Sequence, residues 1–306
     1  MRIVVTGGAG FIGSHIVDQY IAAGHEVAIV DHMWESGGGK KDNLNPKAHF
    51  YYADITDETA LGHIFAEVRP EIVNHHAAQA SVAISTKNPQ LDAQVNILGL
   101  LNVLTSCTHV GVRKLIFASS SATYGTPDRL PIDEETPQRP ESPYGITKLV
   151  GEHYLRYWQG ATGLTYTMLR YGNVYGPRQD PNGEAGVIAI FAKKFLAHEP
   201  VRIDWDGEQQ KDYVYVGDIA RANLLALDLG ENEIFCIGTG SGTSVNQIYY
   251  ALAKTVGYQV EIVHAPKRPG DIYQVYFDCS KAERLLGWKP QVTLEEGIQN
   301  TMEFFR

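Results

Sequence analysis

A chain of 306 residues, 44% hydrophobic and 20% charged, has room for one large α/β unit or two modest domains, and this balance excludes a disordered polymer. Its 26 Lys and Arg against 35 Asp and Glu give a net charge of −9, which argues against non-specific binding to nucleic acid or anionic membrane. Cys107, Cys236 and Cys279 are too scattered for a disulfide framework or a clustered metal site, and no window reaches a membrane-spanning apolar run, so reduced core cysteines in a cytoplasmic protein are expected.

Met1 to Thr6 reads directly as an apolar strand, without the basic and apolar segments of a leader. It runs into "GGAGFIGSHIVDQYIAAGHEVAIVD", small residues before an amphipathic helix and a second apolar strand, which makes a βαβ unit. Gly7, Gly10 and Gly13 carry a dinucleotide fingerprint. Gly7 serves the tight turn, Gly10 the approach of a pyrophosphate, and Gly13 the close contact of helix and strand. The second strand ends at Asp31, placed to accept both ribose hydroxyls and to repel a 2′-phosphate, so NAD is expected rather than NADP.

Asp54 follows "HFYYA" and closes a further strand at the adenine end. Apolar segments at Ile72–His75 and Lys114–Ser119 continue a parallel-sheet pattern. His75 and His76 lack acidic or thiol partners at metal-site spacing and are expected to pack or hydrogen-bond locally, with no metal. Asn96 lies in the following helical segment, where it either orients backbone or cofactor groups or is an ordinary polar helix position. Two turn-rich stretches stand out: Glu35 to Pro46 beyond the cofactor strand, and Gly125 to Pro143, long enough to cover a substrate site or to be surface packing.

Tyr144 and Lys148, four residues apart in "SPYGITK", share one helical face. An ammonium near a phenol favours phenolate, which suits Tyr144 to general-base work, and the same Lys can hold ribose hydroxyls. Ser120, at the end of the "ASSSATYG" strand, is positioned to hydrogen-bond an oxygen whose charge changes during hydride transfer.

Together "TGGAGFIG", Asp31, "ASSSATYG", "YGITK", "LRYGNVYGPRQ", "GEQQKDYVYVGDIA" and "KRPGDI" resemble, over essentially the whole chain, the extended short-chain dehydrogenase/reductase family and within it the NAD-dependent UDP-glucose 4-epimerases and related nucleotide-sugar epimerases. The resemblance implies Ser120 as catalytic hydroxyl, with Ser119 and Ser121 as adjacent alternatives, Tyr144 as base and Lys148 as its electrostatic and ribose-binding partner. It implies further cofactor contacts at Phe11, Ile12, His32, Ile55, Ala77 and Tyr171, and tightly held, recycled NAD. Related dehydratases carry an acidic residue where this chain has Ser121, Ala122 and Thr123, so oxidation and rereduction at C4 is expected rather than loss of water.

The resemblance also implies a Rossmann-type α/β fold with a smaller mixed α/β region. Residues 1–171 are expected to be predominantly NAD-binding and 172–306 predominantly nucleotide-sugar-binding, with some segments returning to the first domain. Asn173 looks like a sugar-phosphate contact, Val187 lies near the nucleotide base, and Arg268 resembles a diphosphate clamp. Lys211 stands where Arg is common, and its point charge lacks the planar fork. Gly172 replaces a bulkier residue. Val275 stands where some relatives have a large Tyr, which leaves room for an N-acetylated sugar. Expected partners are UDP-glucose and UDP-galactose or related UDP-sugars, and a second copy of the chain, docked through Asn88–Cys107 and Tyr144–Gln159. The main alternatives are another nucleotide-sugar 4-epimerase and a noncatalytic binding protein.

Overall fold

The computed structural model describes residues 1–34, 38–182, 186–267 and 272–306. Strand β1 (Arg2–Thr6) leads through the glycine turn into helix α1 (Phe11–Ala22) and strand β2 (Glu26–Asp31). Strand β3 (His49–Tyr52), helix α2 (Glu58–Val68) and strand β4 (Ile72–His75) follow. Short helices α3 (Val82–Lys87) and α4 (Pro89–Ala93) then pass through a π-helical turn, Gln94–Leu98, into α5 (Gly99–Val110). Strand β5 (Lys114–Ser120), the long helix α6 (Pro143–Thr162) and strand β6 (Thr165–Tyr171) complete the first half.

The second half contains β7 (Asn173–Tyr175), α7 (Val187–Leu196), β8 (Val201–Asp204), β9 (Gln210–Lys211), β10 (Tyr213–Tyr215), α8 (Val216–Leu225) and β11 (Glu233–Ile237). After these come β12 (Thr243–Ser244), α9 (Val245–Val256), β13 (Ile262–Ala265), β14 (Gln274–Val275), α10 (Ser280–Leu286) and α11 (Leu294–Phe305).

Seven parallel strands form one sheet in the order β11-β6-β5-β4-β1-β2-β3. Both faces are covered, which is why β1 reads as an unbroken apolar run. Ile3 and Val5 face a core that includes Ile16, Val17 and Tyr20 of α1, Ile219 and Ala222 of α8, and Trp288. Val4 points the other way, into a core built with Leu61 and Phe65 of α2, Leu100 and Leu104 of α5, and Leu155 of α6. Trp288, wholly buried in the turn between the last two helices, donates its indole N–H to the Asp218 carbonyl at 2.9 Å and so ties the C-terminal segment to α8.

Strand order reverses between β1 and β4, and in such sheets ligands bind outside the carboxyl ends of the strands at that reversal. The second-half core lies apart from the sheet: Ile188, Phe191 and Phe195 of α7 pack with Ile248, Tyr249 and Leu252 of α9 and Ile298 and Met302 of α11, beside the β8·β13 pair. A three-stranded ribbon, β12-β9-β14, brings this region up to the carboxyl ends of β5 and β6. No described helix is long and apolar enough to cross a membrane.

Candidate active site

At the switch point Gly7 has φ +73°, a left-handed conformation that side chains avoid, and a Cβ there would lie 2.6 Å from the Ala77 nitrogen. Gly13 is tighter still. Its Cβ would fall 2.2 Å from the Gly7 carbonyl oxygen, so α1 seats directly on the turn only because position 13 has no side chain. Gly10 caps α1 without a side-chain hydrogen bond, which leaves first-turn N–H groups, at Phe11 and Ile12, open to an anion. The Asp31 carboxylate faces this turn, accepting the Ala9 N–H at 3.0 Å on Oδ2 and the Met33 N–H at 2.8 Å on Oδ1. Each oxygen retains a further lone pair for a ribose hydroxyl. These groups fit a dinucleotide.

The remaining cofactor positions divide by what their side chains do. His32 stacks on Trp34 and its Nε2 lies 3.9 Å from Asp54 Oδ2, with Asp54 also accepting the Thr56 N–H at 2.8 Å. Ile55 turns its side chain into the core against Gly99, and its carbonyl accepts from Asn102. Ala77 donates its N–H to Thr6 Oγ1 at 3.3 Å beside Gly7. The Tyr171 hydroxyl is engaged by His76 Nε2 at 3.0 Å and by the Asn223 amide at 2.8 Å. His76 also bonds Asn74, and His75 bonds Thr6 Oγ1 at 2.7 Å, so both histidines pack and hydrogen-bond locally. Burial, with the Lys148 charge adding to it, pushes His75 down to about 3.

Asn96 takes the backbone-orienting role. Its Oδ1 accepts the Gln79 N–H at 2.8 Å and its Nδ2 donates to the Gln79 carbonyl at 2.9 Å, clamping the loop after β4. The π-helical turn aims this side chain inward.

Helix α6 starts at Pro143, with Ser142 as N-cap accepting the Gly145 N–H at 3.1 Å. This start sets Tyr144 in the first turn and Lys148 one turn later, buried, with Nζ 5.8 Å from the Tyr144 ring centroid. Gly145 and Gly151 let the helix lie close to β5: Cβ atoms there would come within 2.4 Å of the Ala122 carbonyl and 2.7 Å of the Phe117 ring. Lys148 Nζ donates to the Ala118 carbonyl at 2.8 Å. The Ser120 hydroxyl comes near enough to the Tyr144 phenol to favour its ionised form, so the strand end and the helix start meet at these two side chains.

Electrostatics here differ from the expectation drawn from spacing. Burial pushes the Tyr144 phenol up to about 12, against the Ser120 hydrogen bond, which lowers it, and with the Asp92 charge, which raises it. Burial also brings Lys148 down to about 8, with Asp92 pulling it back up. Desolvation therefore has the largest influence on both groups.

Several buried groups near this site escaped the reading of motifs, two of them on the side of β6 and the ribbon. Glu152, a further turn along α6, forms a fork with Arg170 of β6, Nε to Oε1 at 2.8 Å and Nη2 to Oε2 at 2.7 Å. The same carboxylate accepts Ser119 Oγ at 2.7 Å, and Arg170 Nη1 reaches the Tyr124 hydroxyl and the Glu134 carbonyl of the excursion after β5. Asp212 is the second. It accepts the Thr239 N–H and hydroxyl and the Gly240 and Phe277 N–H groups, fixing the loops behind the ribbon. The spacing of carboxylates and cations four residues apart could have flagged Glu152; nothing local marks Asp212.

On the substrate side, Ser121, Gly172, Asn173, Asp212, Val275, Tyr276 and Phe277 line one narrow crevice next to Ser120. Gly172 is required by packing, because a Cβ would stand 2.8 Å from the Asp212 carbonyl oxygen. Val275 pairs in register with Lys211 and belongs to a small cluster with Tyr124, Ile132, Cys236 and Phe277. Lys211 Nζ donates to the Ile272 carbonyl at 2.6 Å. Val187 opens helix α7. Arg268 lies outside the described residues.

Comparison with known proteins agrees with this geometry. The family described as GDP-mannose 4,6 dehydratase matches residues 4–301. A UDP-glucose 4-epimerase of Mycolicibacterium smegmatis is 42% identical, covering 100% of this chain and 99% of its own. The crystal structure of a Thermotoga maritima UDP-glucose 4-epimerase with UDP-glucose superposes with a TM-score of 0.97 at 50% identity, over 100% of this chain and 98% of that one. A Thermus thermophilus UDP-glucose 4-epimerase in complex with NAD gives 0.94 at 45% identity, over 100% and 99%. With a seven-stranded Rossmann-type sheet, a glycine turn at its switch point and a Ser–Tyr–Lys group beside it, the chain belongs to the extended short-chain dehydrogenase/reductases, in the group of NAD-dependent UDP-glucose 4-epimerases.

Proposed function

We propose that this protein interconverts UDP-glucose and UDP-galactose through a 4-keto sugar, with NAD retained and recycled. The observation that carries this reading is the meeting of Ser120, Tyr144 and Lys148 beside a crevice lined by Ser121, in a stretch, Ser121, Ala122 and Thr123, that offers no carboxylate for eliminating water. Epimerisation needs none. Bound NAD supplies an acceptor and then a donor for the C4 hydride.

The chain's own residues handle the proton and the geometry. Tyr144 takes the proton from the C4 hydroxyl and returns it after the flat ketone has turned over. Ser120 steadies the same oxygen through its hydroxyl while charge develops there. Lys148 stays close to the phenol, and in this reading it favours the ionised form and holds the nicotinamide ribose. Gly7, Gly10, Gly13, Phe11 and Ile12 hold the pyrophosphate and Asp31 the adenosine ribose, with His32, Asp54, Ile55, Ala77 and Tyr171 around the cofactor. Asn173, Val187, Lys211 and Arg268 anchor the UDP portion, so the sugar can rotate without losing the nucleotide. The Lys211 ammonium leaves the Ile272 carbonyl to reach a phosphate in this reading.

A second reading concerns breadth. Val275 is small and lines the crevice, which favours admission of an N-acetylated sugar. One related structure, 35% identical over 99% of this chain, is a UDP-N-acetylglucosamine 4-epimerase of Methanobrevibacter ruminantium. We further assign residues 1–171 chiefly to the cofactor and 172–306 chiefly to the nucleotide sugar, and place the protein in the cytoplasm as a homodimer. Exposed Leu98, Ile146 and Tyr157, on the segments expected to dock, support the dimer.

The test follows purified protein with UDP-glucose and catalytic NAD, resolving sugar nucleotides by chromatography while recording the NADH band. UDP-galactose without stoichiometric NADH supports the cycle. Net NADH, or a different sugar product, overturns it.

A further inference from the structure

Asp92, on the short helix α4, is wholly buried, and its carboxylate is held from three sides. Oδ1 accepts from Gln79 Nε2 at 2.7 Å and from Asn96 Nδ2 at 3.1 Å, and Oδ2 accepts the Thr147 hydroxyl at 2.8 Å. Gln79 belongs to the loop after β4 and Thr147 to α6, where it sits between Tyr144 and Lys148 in the chain. The clamp reaches Tyr144 by a second route. Gln79 Oε1 accepts the Ser81 N–H at 2.6 Å, Ser81 caps α3, and Ser85 of α3 accepts the Tyr144 N–H at 3.2 Å.

We propose that Asp92 is a positioning residue for the proposed proton transfer: its buried charge holds Lys148 as an ammonium, and its clamp registers the first turn of α6 against the loop after β4. The inference rests on the proposed roles of Tyr144 and Lys148.

The surroundings of Lys148 give Asp92 this part. From the end of β4 and the residue after it, His75 and His76 are driven neutral by burial and repel the ammonium when they protonate. From β5 come the Phe117 ring, 5.1 Å from Nζ, and the Ala118 carbonyl. From α6 come Tyr144 and, one turn on, Glu152, whose two oxygens are taken by the fork with Arg170. Asp92 is the carboxylate whose charge acts on both Lys148 and Tyr144. An anion close enough to act on a phenol and an ammonium raises the proton affinity of both.

The test titrates Lys148 in NAD-loaded enzyme carrying 13Cε-lysine, its NMR signal assigned with Lys148→Arg. Asp92→Asn keeps the size and removes the charge, and is expected to move the Lys148 midpoint down by about one pH unit, with Asp92→Glu restoring it. Thr147→Val removes the clamp hydroxyl alone and is expected to leave the midpoint in place while slowing turnover. In the pH profile of kcat for UDP-glucose, Asp92→Asn is expected to shift both limbs to lower pH. A purely structural part would depress kcat at every pH without moving the limbs, and an unmoved Lys148 midpoint overturns the proposal.

If Asp92→Asn does not fold, coupling is read from the other partner, because it is reciprocal. The 13C carboxyl signal of Asp92 should then titrate at higher pH in Lys148→Met than in the parent, and no upward shift overturns the proposal. Failure of the parent enzyme to epimerise UDP-glucose would sink the proposed function alone, since the NMR titrations need no turnover.

Discussion

Replacing Arg170 with Met is the sharpest test of how the site is held together. Arg170 and Glu152 are 1% and 0% exposed, and the substitution leaves the Glu152 carboxylate, among the described residues, with the Ser119 hydroxyl, the Gln138 amide at 3.3 Å and the half-exposed Arg156 at 3.9 Å. Removing one member of a buried ion pair costs about 3–5 kcal/mol, most of it the desolvation of the charge left behind. With an unfolding entropy of about 2.1 cal/mol/K per residue, 306 residues give about 0.64 kcal/mol/K, so the midpoint of thermal unfolding should fall by about 5–8 °C. Acid narrows the deficit. Burial alone would raise the Glu152 pKa, but the Arg170 hydrogen bonds and charge more than reverse it and leave the carboxyl below its ordinary range. A carboxyl depressed in the folded state contributes stability above its unfolded pKa of about 4.3 and loses it as pH falls through the folded value. Calorimetry of both proteins at pH 7 and near pH 3.5 measures this. A deficit under about 1 kcal/mol at pH 7, unchanged in acid, would refute the claim that this fork is a charged pair on which the fold depends.

Tyr144→Phe should lower kcat for UDP-glucose by about 10²–10⁴-fold with little change in nucleotide affinity, as measured by product formation and by titration with UDP; a loss below about tenfold counts against Tyr144 as base. Gly13→Ala should displace α1 from the turn, weakening NAD binding by at least about tenfold in calorimetric titration and destabilising the fold by about 1–3 kcal/mol of overpacking. Val275→Tyr should reduce turnover of UDP-N-acetylglucosamine by more than about tenfold relative to UDP-glucose, since about 1–3 kcal/mol separates sugars by fit in a pocket; equal losses on both sugars would remove Val275 from the determinants of breadth.

The parts of this molecule readable from local pattern are those whose chemistry is local. The glycine turn, Asp31 at the end of β2 and the Tyr144–Lys148 face each lie within one βα unit or one helical turn, so spacing alone places them. Strands β4 and β5 were legible for the same reason: both faces are buried, and the apolar runs are continuous. Asp92 and Thr147 are 55 residues apart, and Arg170 and Glu152 are 18 apart on different elements, so no local pattern announces either contact. The phenol's raised pKa was equally out of reach, because it follows from desolvation of Tyr144 in the folded chain rather than from its distance to Lys148. Lys211 shows the limit at a single side chain: its position in β9 was legible, its hydrogen bond to the Ile272 carbonyl was not.

The place of β11 at the end of the large sheet bears on how the chain is made. Strand β6, whose Tyr166 to Tyr171 are all buried, receives its outer neighbour only from residues 233–237. A nascent chain that has emerged as far as residue 171 therefore carries the whole dinucleotide turn and both proposed catalytic hydroxyls, yet presents an open, largely apolar edge. Such an edge invites pairing with another chain. Residues 233–237 must leave the ribosome before the large sheet can close, so residues 1–171 cannot mature as an independent module, and a truncation after residue 171 is expected to aggregate rather than to bind NAD.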